Sequence, residues 1–174
     1  MKEFDQYFEA NRQSWNKRTP IHKESAFYGL KEFKAGKTSL NKIELEEMGD
    51  VKEKSLLHLQ CHFGMDTMSW AKLGAKCVGV DLSDEAIKTA KEINAELKLH
   101  AEFICCNVYD LKNHLEQKFD IVFTSYGTIG WLPDLEQWAE FITPGPHPGH
   151  PRNLHLGFGL RRRRVMRPKA GAAG

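Results

Sequence analysis

The 174-residue chain has no apolar run approaching the ~18 residues that a membrane-crossing helix needs. Its first residues, MKEFDQYFEANRQSW, have no apolar core of the kind a secretion signal carries. A cytoplasmic location without a membrane partner is the expectation. Cysteine is scarce, with Cys61, Cys77, Cys105 and Cys106 as the whole set. Their spacing fits no zinc pattern, and adjacent strand residues point to opposite faces, so Cys105 and Cys106 do not share a metal. No metal site is expected, and the four read as reduced, mostly buried small apolar residues. The GxGxxG loop that a dinucleotide pyrophosphate requires is missing as well. Acidic residues are missing from one stretch only. Residues 144–174 hold seven Lys and Arg, no Asp or Glu, and five of the seven prolines. The rest of the chain holds 18 basic and 23 acidic residues, so a mildly acidic body precedes a basic tail.

What is present is an ordinary globular composition, 41% apolar and 28% charged, in a chain long enough for one core. Phe4, Tyr7, Phe8 and Trp15 give residues 1–17 a partial helical face, which Thr19-Pro20 is expected to end. Residues 21–36 are less periodic, and one or two helical turns are expected between Leu40 and Met48. From Ser55 the pattern becomes regular. Strands are expected at Ser55–Leu59, Cys77–Val80, Glu102–Cys105 and Phe119–Thr124. Helices are expected at Asp66–Leu73, from the Ser83 cap to Leu97, at Asp110–Gln117 and at Leu135–Ile142. Strand and helix alternate four times at intervals of roughly 20–25 residues, the signature of an α/β, doubly wound parallel sheet. The chain thus divides into an N-terminal helical cap (1–50), a Rossmann-like core (51–143) and an atypical tail (144–174).

In such a sheet, ligands bind beyond the carboxyl ends of the strands, where strand order reverses. The first strand end carries the loop QCHFGMD, in which Gly64 lets the backbone approach a ligand. The second ends in VGVD, and Asp81 is placed to accept hydrogen bonds from two ribose hydroxyls. Leu82 and Ser83 follow it, near an adenine. The third ends in ICCNVYD. There the Asn107 oxygen is an acceptor for the adenine amine, the Val108 amide is a donor to its ring, and Leu82 and Val108 sandwich the purine. A loop, a ribose partner and an adenine partner follow in order along the chain.

These residues carry a family resemblance. WNKRTPIH, the run SLLHLQCHFGMDTMSWAKLGAKCVGVDLSDEAI and FDIVFTSYGTIGWLPDLEQWAEFI resemble the bacterial class I, S-adenosylmethionine-dependent methyltransferases of the small-molecule type. The likeness runs from about Trp15 to Phe141. It implies S-adenosylmethionine as cofactor, S-adenosylhomocysteine as product and a small-molecule methyl acceptor. By the same resemblance, the cofactor residues are Trp15, Gln60, Cys61, His62, Gly64, Asp81, Leu82, Ser83, Asn107, Val108, Thr124 and Ser125. The common DxGxGxG loop is altered: His58 replaces the acid, while Gln60 and His62 stand at glycine positions. The usual contact from that acid to the methionine amino group is therefore absent, with Gln60 or nearby backbone carbonyls as candidates to replace it.

Methyl transfer from a sulfonium needs alignment more than acid–base chemistry, so no catalytic triad is expected. Tyr126 and Trp131 are the substrate-pocket candidates, with simple packing as the other reading. Trp15 and Tyr28 either cover the site as a lid or pack on the sheet. His22 reads as a surface residue and His58 as a core histidine. His62 lies in the loop, where contact with the cofactor carboxylate and a packing role both stay open. Arg161–Arg164 lacks interleaved aromatics, so nucleic-acid binding is not expected. The family resemblance implies three further strands after the fourth helix, whereas the match stops at ITPG. The expectation is a disordered or non-native tail from a truncated or shifted reading frame, on a monomer or homodimer. A non-catalytic remnant and a nucleotide-dependent oxidoreductase are the competing functions.

Overall fold

A computed structural model of the chain describes residues 4–142. The tail expected to be disordered or non-native lies outside the described residues. Three helices open the chain: α1 (Asp5–Glu24), α2 (Leu30–Lys34) and α3 (Lys42–Met48). The alternating part follows as β1 (Ser55–Leu59), α4 (Met65–Lys72), β2 (Lys76–Asp81), α5 (Asp84–Glu96), β3 (Glu102–Cys105), β4 (Ile121–Thr124) and α6 (Leu135–Ile142). Two 3-10 turns, Val108–Asn113 and Ile129–Trp131, flank β4.

The four strands are parallel in the order β3-β2-β1-β4. The register sets Leu57 between Val78 and Val122, and Leu59 between Val80 and Thr124. Alternate residues of each strand feed the two faces. Leu56, Cys77, Phe103, Ile121 and Phe123 join one apolar cluster, with Met68 and Trp70 of α4 and Ile87, Ala90 and Ile93 of α5. Leu57, Leu59, Val78, Val80 and Val122 join the other, with Val108, Tyr109 and Trp138. A parallel sheet needs both faces covered, and strands buried on both sides read as continuous apolar runs. The chain builds outward from β1 through β2 to β3, then crosses back to the opposite side of β1 for β4. That reversal puts a crevice at the carboxyl ends of β1 and β4.

Two elements depart from the sequence-based expectation. Helix α1 does not stop at Thr19-Pro20 but runs on to Glu24. Proline removes the one hydrogen bond its own N–H would make. The surrounding turn is held by other means. Thr19 is buried and donates its hydroxyl to the Trp15 carbonyl at 2.8 Å. The His22 ring, one turn on, stacks on Tyr28 and packs edge-on to His62, with centroids at 4.7 and 5.2 Å. Tertiary packing of the last turn outweighs the local preference. The segment expected as a helix at 110–117 is instead the 3-10 turn Val108–Asn113. Its buried Val108 and Leu111 are three residues apart, the repeat of that tighter winding. Among the cysteines, which are all free, Cys105 is exposed and the other three are buried.

Gly64 locks the β1 loop to the sheet. It has φ +76°, and a Cβ there would lie 2.4 Å from Cε1 of Phe103. A Gly64→Ala substitution combines left-handed strain with overpacking, so a loss of at least about 2 kcal/mol is expected. Urea unfolding measures it; an unchanged midpoint would show that the Phe103 ring yields freely.

Candidate active site

The loop from Gln60 to Gly64 turns three times through left-handed backbone, at Gln60 (φ 55°), His62 (φ 52°) and Gly64 (φ 76°). These are the alternate positions where the related DxGxGxG loop has glycines. Non-glycine residues in this region cost about 1–3 kcal/mol each and persist only where neighbours over-determine them. The neighbours are visible. The Cys61 amide donates to the Val80 carbonyl at 2.9 Å, and the His62 amide to Asp81 Oδ2 at 2.7 Å. Gln60 Nε2 donates to the Thr128 carbonyl at 3.0 Å. The loop is thereby tied to β2 on one side and to the turn after β4 on the other.

Above it opens a cavity of about 580 Å³. Ten of the twelve expected cofactor residues line it: Trp15, Gln60, Cys61, His62, Gly64, Asp81, Leu82, Asn107, Val108 and Ser125. Tyr126 and Trp131 line it too, as does Tyr28. The other two do not. Ser83 is fully buried, donates its hydroxyl to Asn16 Oδ1 at 2.6 Å and accepts from the Ala86 amide at 3.1 Å, which makes it the cap of α5. Thr124 is buried, with its hydroxyl 2.9 Å from that of Thr128, and braces the turn after β4.

Asp81 holds both oxygens in place: Oδ2 accepts from His62 and Oδ1 from the Ser83 amide at 2.8 Å. Burial raises its pKa, and these amides work against the rise. The carboxylate still has lone-pair capacity with which to accept from a ligand hydroxyl. Asn107 Oδ1 accepts from the Tyr109 amide at 3.2 Å and so caps the 3-10 turn, leaving a second lone pair toward the cavity. Trp15 packs edge-on to Trp131 and His62, with centroids at 5.2 and 5.3 Å. The Asn11 amide donates to the Trp131 carbonyl at 3.2 Å, which fixes α1 across the cavity.

His58 lies beneath the loop rather than in the cavity. It is 1% exposed, shares a 2.7 Å hydrogen bond between Nδ1 and Thr67 Oγ1, and packs edge-on against Phe123. Burial pushes its pKa down to about 3, so it stays neutral. His62 is also pushed down to about 3, by burial and by the nearby His22. Gln60 Oε1 and His62 Nε2 are buried without a hydrogen-bond partner among the described residues.

Several lining residues are not site candidates from the sequence, and Asp66 is the charged one among them. Asp66, in the first turn of α4, faces the cavity, and burial pushes its pKa up to about 6. An Asp at that position reads from sequence as a helix-start signal, which hides any other role. Among the described residues the lining thus holds two carboxylates, Asp66 and Asp81, and no Lys or Arg.

A parallel sheet of this order, with a cavity over its switch point and an Asp at the end of the second strand, defines a Rossmann-like α/β protein built to hold a nucleoside. A family model described as a methyltransferase domain matches residues 56–145, and the chain belongs to that family. The ubiquinone biosynthesis O-methyltransferase of Coxiella burnetii is 30% identical over 105 residues, covering 58% of this chain and 44% of that protein. The enzyme of that name from Pseudoalteromonas translucida is 28% identical over 101 residues, covering 56% and 42%. The chain therefore spans less than half the length of these curated relatives. Among solved structures, a TehB-like SAM-dependent methyltransferase from Corynebacterium glutamicum has the same fold. Its TM-score is 0.50 at 21% identity, covering 66% of this chain and 60% of that one.

The neutral His58 has a measurable consequence. Its folded pKa of about 3 lies below the ordinary 6.5, so its contribution is full above pH 6.5 and is lost as pH falls toward 3. Asp66, shifted upward, acts in the opposite direction between about 6 and 3.8. A His58→Asn variant isolates the histidine. Between pH 6.5 and 4 its unfolding free energy should fall by about 3 kcal/mol less than that of the wild type. Equal slopes in urea titrations would mean that His58 is not held neutral.

Proposed function

We propose that the cavity binds S-adenosylmethionine and that the protein uses it to methylate a small molecule. The observation that carries this reading is the cavity at the β1/β4 switch point, whose lining among the described residues has two carboxylates and no Lys or Arg. A dinucleotide brings an anionic pyrophosphate, which such a lining repels. S-adenosylmethionine carries a net positive charge, which it attracts. The unpartnered Gln60 Oε1 and His62 Nε2 supply an acceptor and a neutral ring nitrogen for a polar ligand. The fit between residues and cofactor is thus chemical as well as topological.

In this reading Asp81 takes the ribose hydroxyls, while Leu82 and Val108 flank the adenine and Asn107 accepts from its amine. S-adenosylmethionine supplies a methyl group already activated on a sulfonium sulfur. What remains for the protein is to hold an acceptor in line and keep water out. Tyr126 and Trp131 line the same cavity, and Trp15 with α1 closes over it. The names of the curated relatives, both O-methyltransferases, support a small-molecule acceptor.

Calorimetry with S-adenosylmethionine, S-adenosylhomocysteine and NAD tests the assignment. The first two should bind and NAD should not, and Asp81→Ala should weaken the first two by about 1–3 kcal/mol. NAD binding without a response to either sulfur nucleoside would refute the reading; an unchanged Asp81→Ala affinity would remove that residue from the site.

A further inference from the structure

Of the two carboxylates that face the cavity, the cofactor reading above uses only Asp81. Asp66 lies elsewhere on the cavity wall, in the first turn of α4, beside Ser39, Asn41 and Tyr126, which also line it. Its surroundings are acidic. The neighbouring Glu44 is 4% exposed, and its charge pushes the Asp66 pKa further up. Glu44 Oε2 accepts from the Asn41 amide at 2.7 Å, while its Oε1 is buried without a partner among the described residues. The nearby Ser39 hydroxyl, itself 3.0 Å from that of Ser69, works against the rise. No Lys or Arg forms an ion pair with Asp66 or Glu44 among the described residues. A carboxylate held in a cavity wall, next to a second buried acid and without a cation, is an unfilled half of an ion pair.

The ligand proposed for this cavity carries the other half. Its amino-acid end has an ammonium group, and the end of β1 offers that group nothing charged. His58 is neutral and lies under the loop against Phe123. Asp81 is engaged by the His62 and Ser83 amides at the end of β2. Gln60 Oε1 is a second, uncharged acceptor in the same wall.

We propose that Asp66 is the anion that anchors the ammonium group of S-adenosylmethionine, with Ser39 and the first turn of α4 holding it in position. This rests on the cofactor reading above. The acid that binds the amino-acid end then comes from the helix that follows the loop rather than from the strand that precedes it. An ammonium on a carboxylate is a charge-assisted hydrogen bond, shorter and stronger than a neutral one. An ammonium beside Asp66 offsets the cost of keeping that carboxylate charged among acidic neighbours.

The experiment is calorimetry with S-adenosylhomocysteine and with its analogue in which hydrogen replaces the α-amino group. The wild type should bind the deaminated compound roughly ten- to a hundredfold more weakly than S-adenosylhomocysteine. D66N should lose a similar factor for S-adenosylhomocysteine yet bind the deaminated compound as the wild type does, so the preference for the amine disappears. The wild-type comparison needs no variant, and D66N is near-isosteric and removes a buried charge. If the wild type binds S-adenosylhomocysteine and D66N keeps both its affinity and its preference for the amine, the proposal is overturned while the cofactor reading stands. That outcome would also be seen if Gln60 alone held the amine, or if Asp66 served the methyl acceptor. No binding of S-adenosylhomocysteine by the wild type would overturn both readings.

Discussion

The 2.7 Å hydrogen bond from the His62 amide to Asp81 joins the loop after β1 to the end of β2, and the site is assembled around it. The loop must reverse direction at the end of β1 without lifting from the sheet. Gln60, His62 and Gly64 achieve this in left-handed backbone, which disfavours the first two side chains. The strain is tolerable because the amide of Cys61, the amide of His62 and the side chain of Gln60 each find a fixed acceptor. One bond therefore does two things. It stabilises an unfavourable backbone, and it aligns the carboxylate proposed to read a ribose.

From that joint the wider architecture can be followed outward. Phe103 of β3 fills the space that a side chain at position 64 would need. Thr124 and Thr128 brace the turn that accepts Gln60, and Ser83 caps the helix that follows Asp81. Helix α1 is held across the opening by Asn11 on Trp131 and by the Trp15–Trp131 contact. Ser83 and Thr124 thus lie behind the site rather than in it, where they keep the neighbouring strand ends in place.

The strands were legible because a parallel sheet buried on both faces makes SLLHL and VGV largely apolar runs, followed by the polar Gln60 and Asp81. Much of one side of the cavity followed from that, since side chains just past successive strand ends converge on the switch point. The elements that were misread are ones in which distant contacts override local rules. Pro20 reads as a helix end, and only the packing of His22 on Tyr28 and His62 carries α1 past it. The 3-10 turn at Val108–Asn113 is set by the Asn107 cap and two buried side chains rather than by helix propensity. Asp66 escaped notice because a helix-start Asp is common, and its exposure to a shared cavity depends on α3 and the Ser39 segment folding beside it. Gln60 and His62 read from the sequence as a variant of the glycine loop, and the backbone there makes the left-handed turns that glycines would make.

The central claim is that the strand ends of β1, β2 and β3 form one nucleoside site. A crystal structure of the protein with S-adenosylhomocysteine tests it most directly. The account predicts ribose hydroxyls on the Asp81 carboxylate and an adenine between Leu82 and Val108, with the Gln60–Gly64 backbone unchanged. S-adenosylhomocysteine bound outside this cavity, or an Asp81 turned away from the sugar, would contradict it.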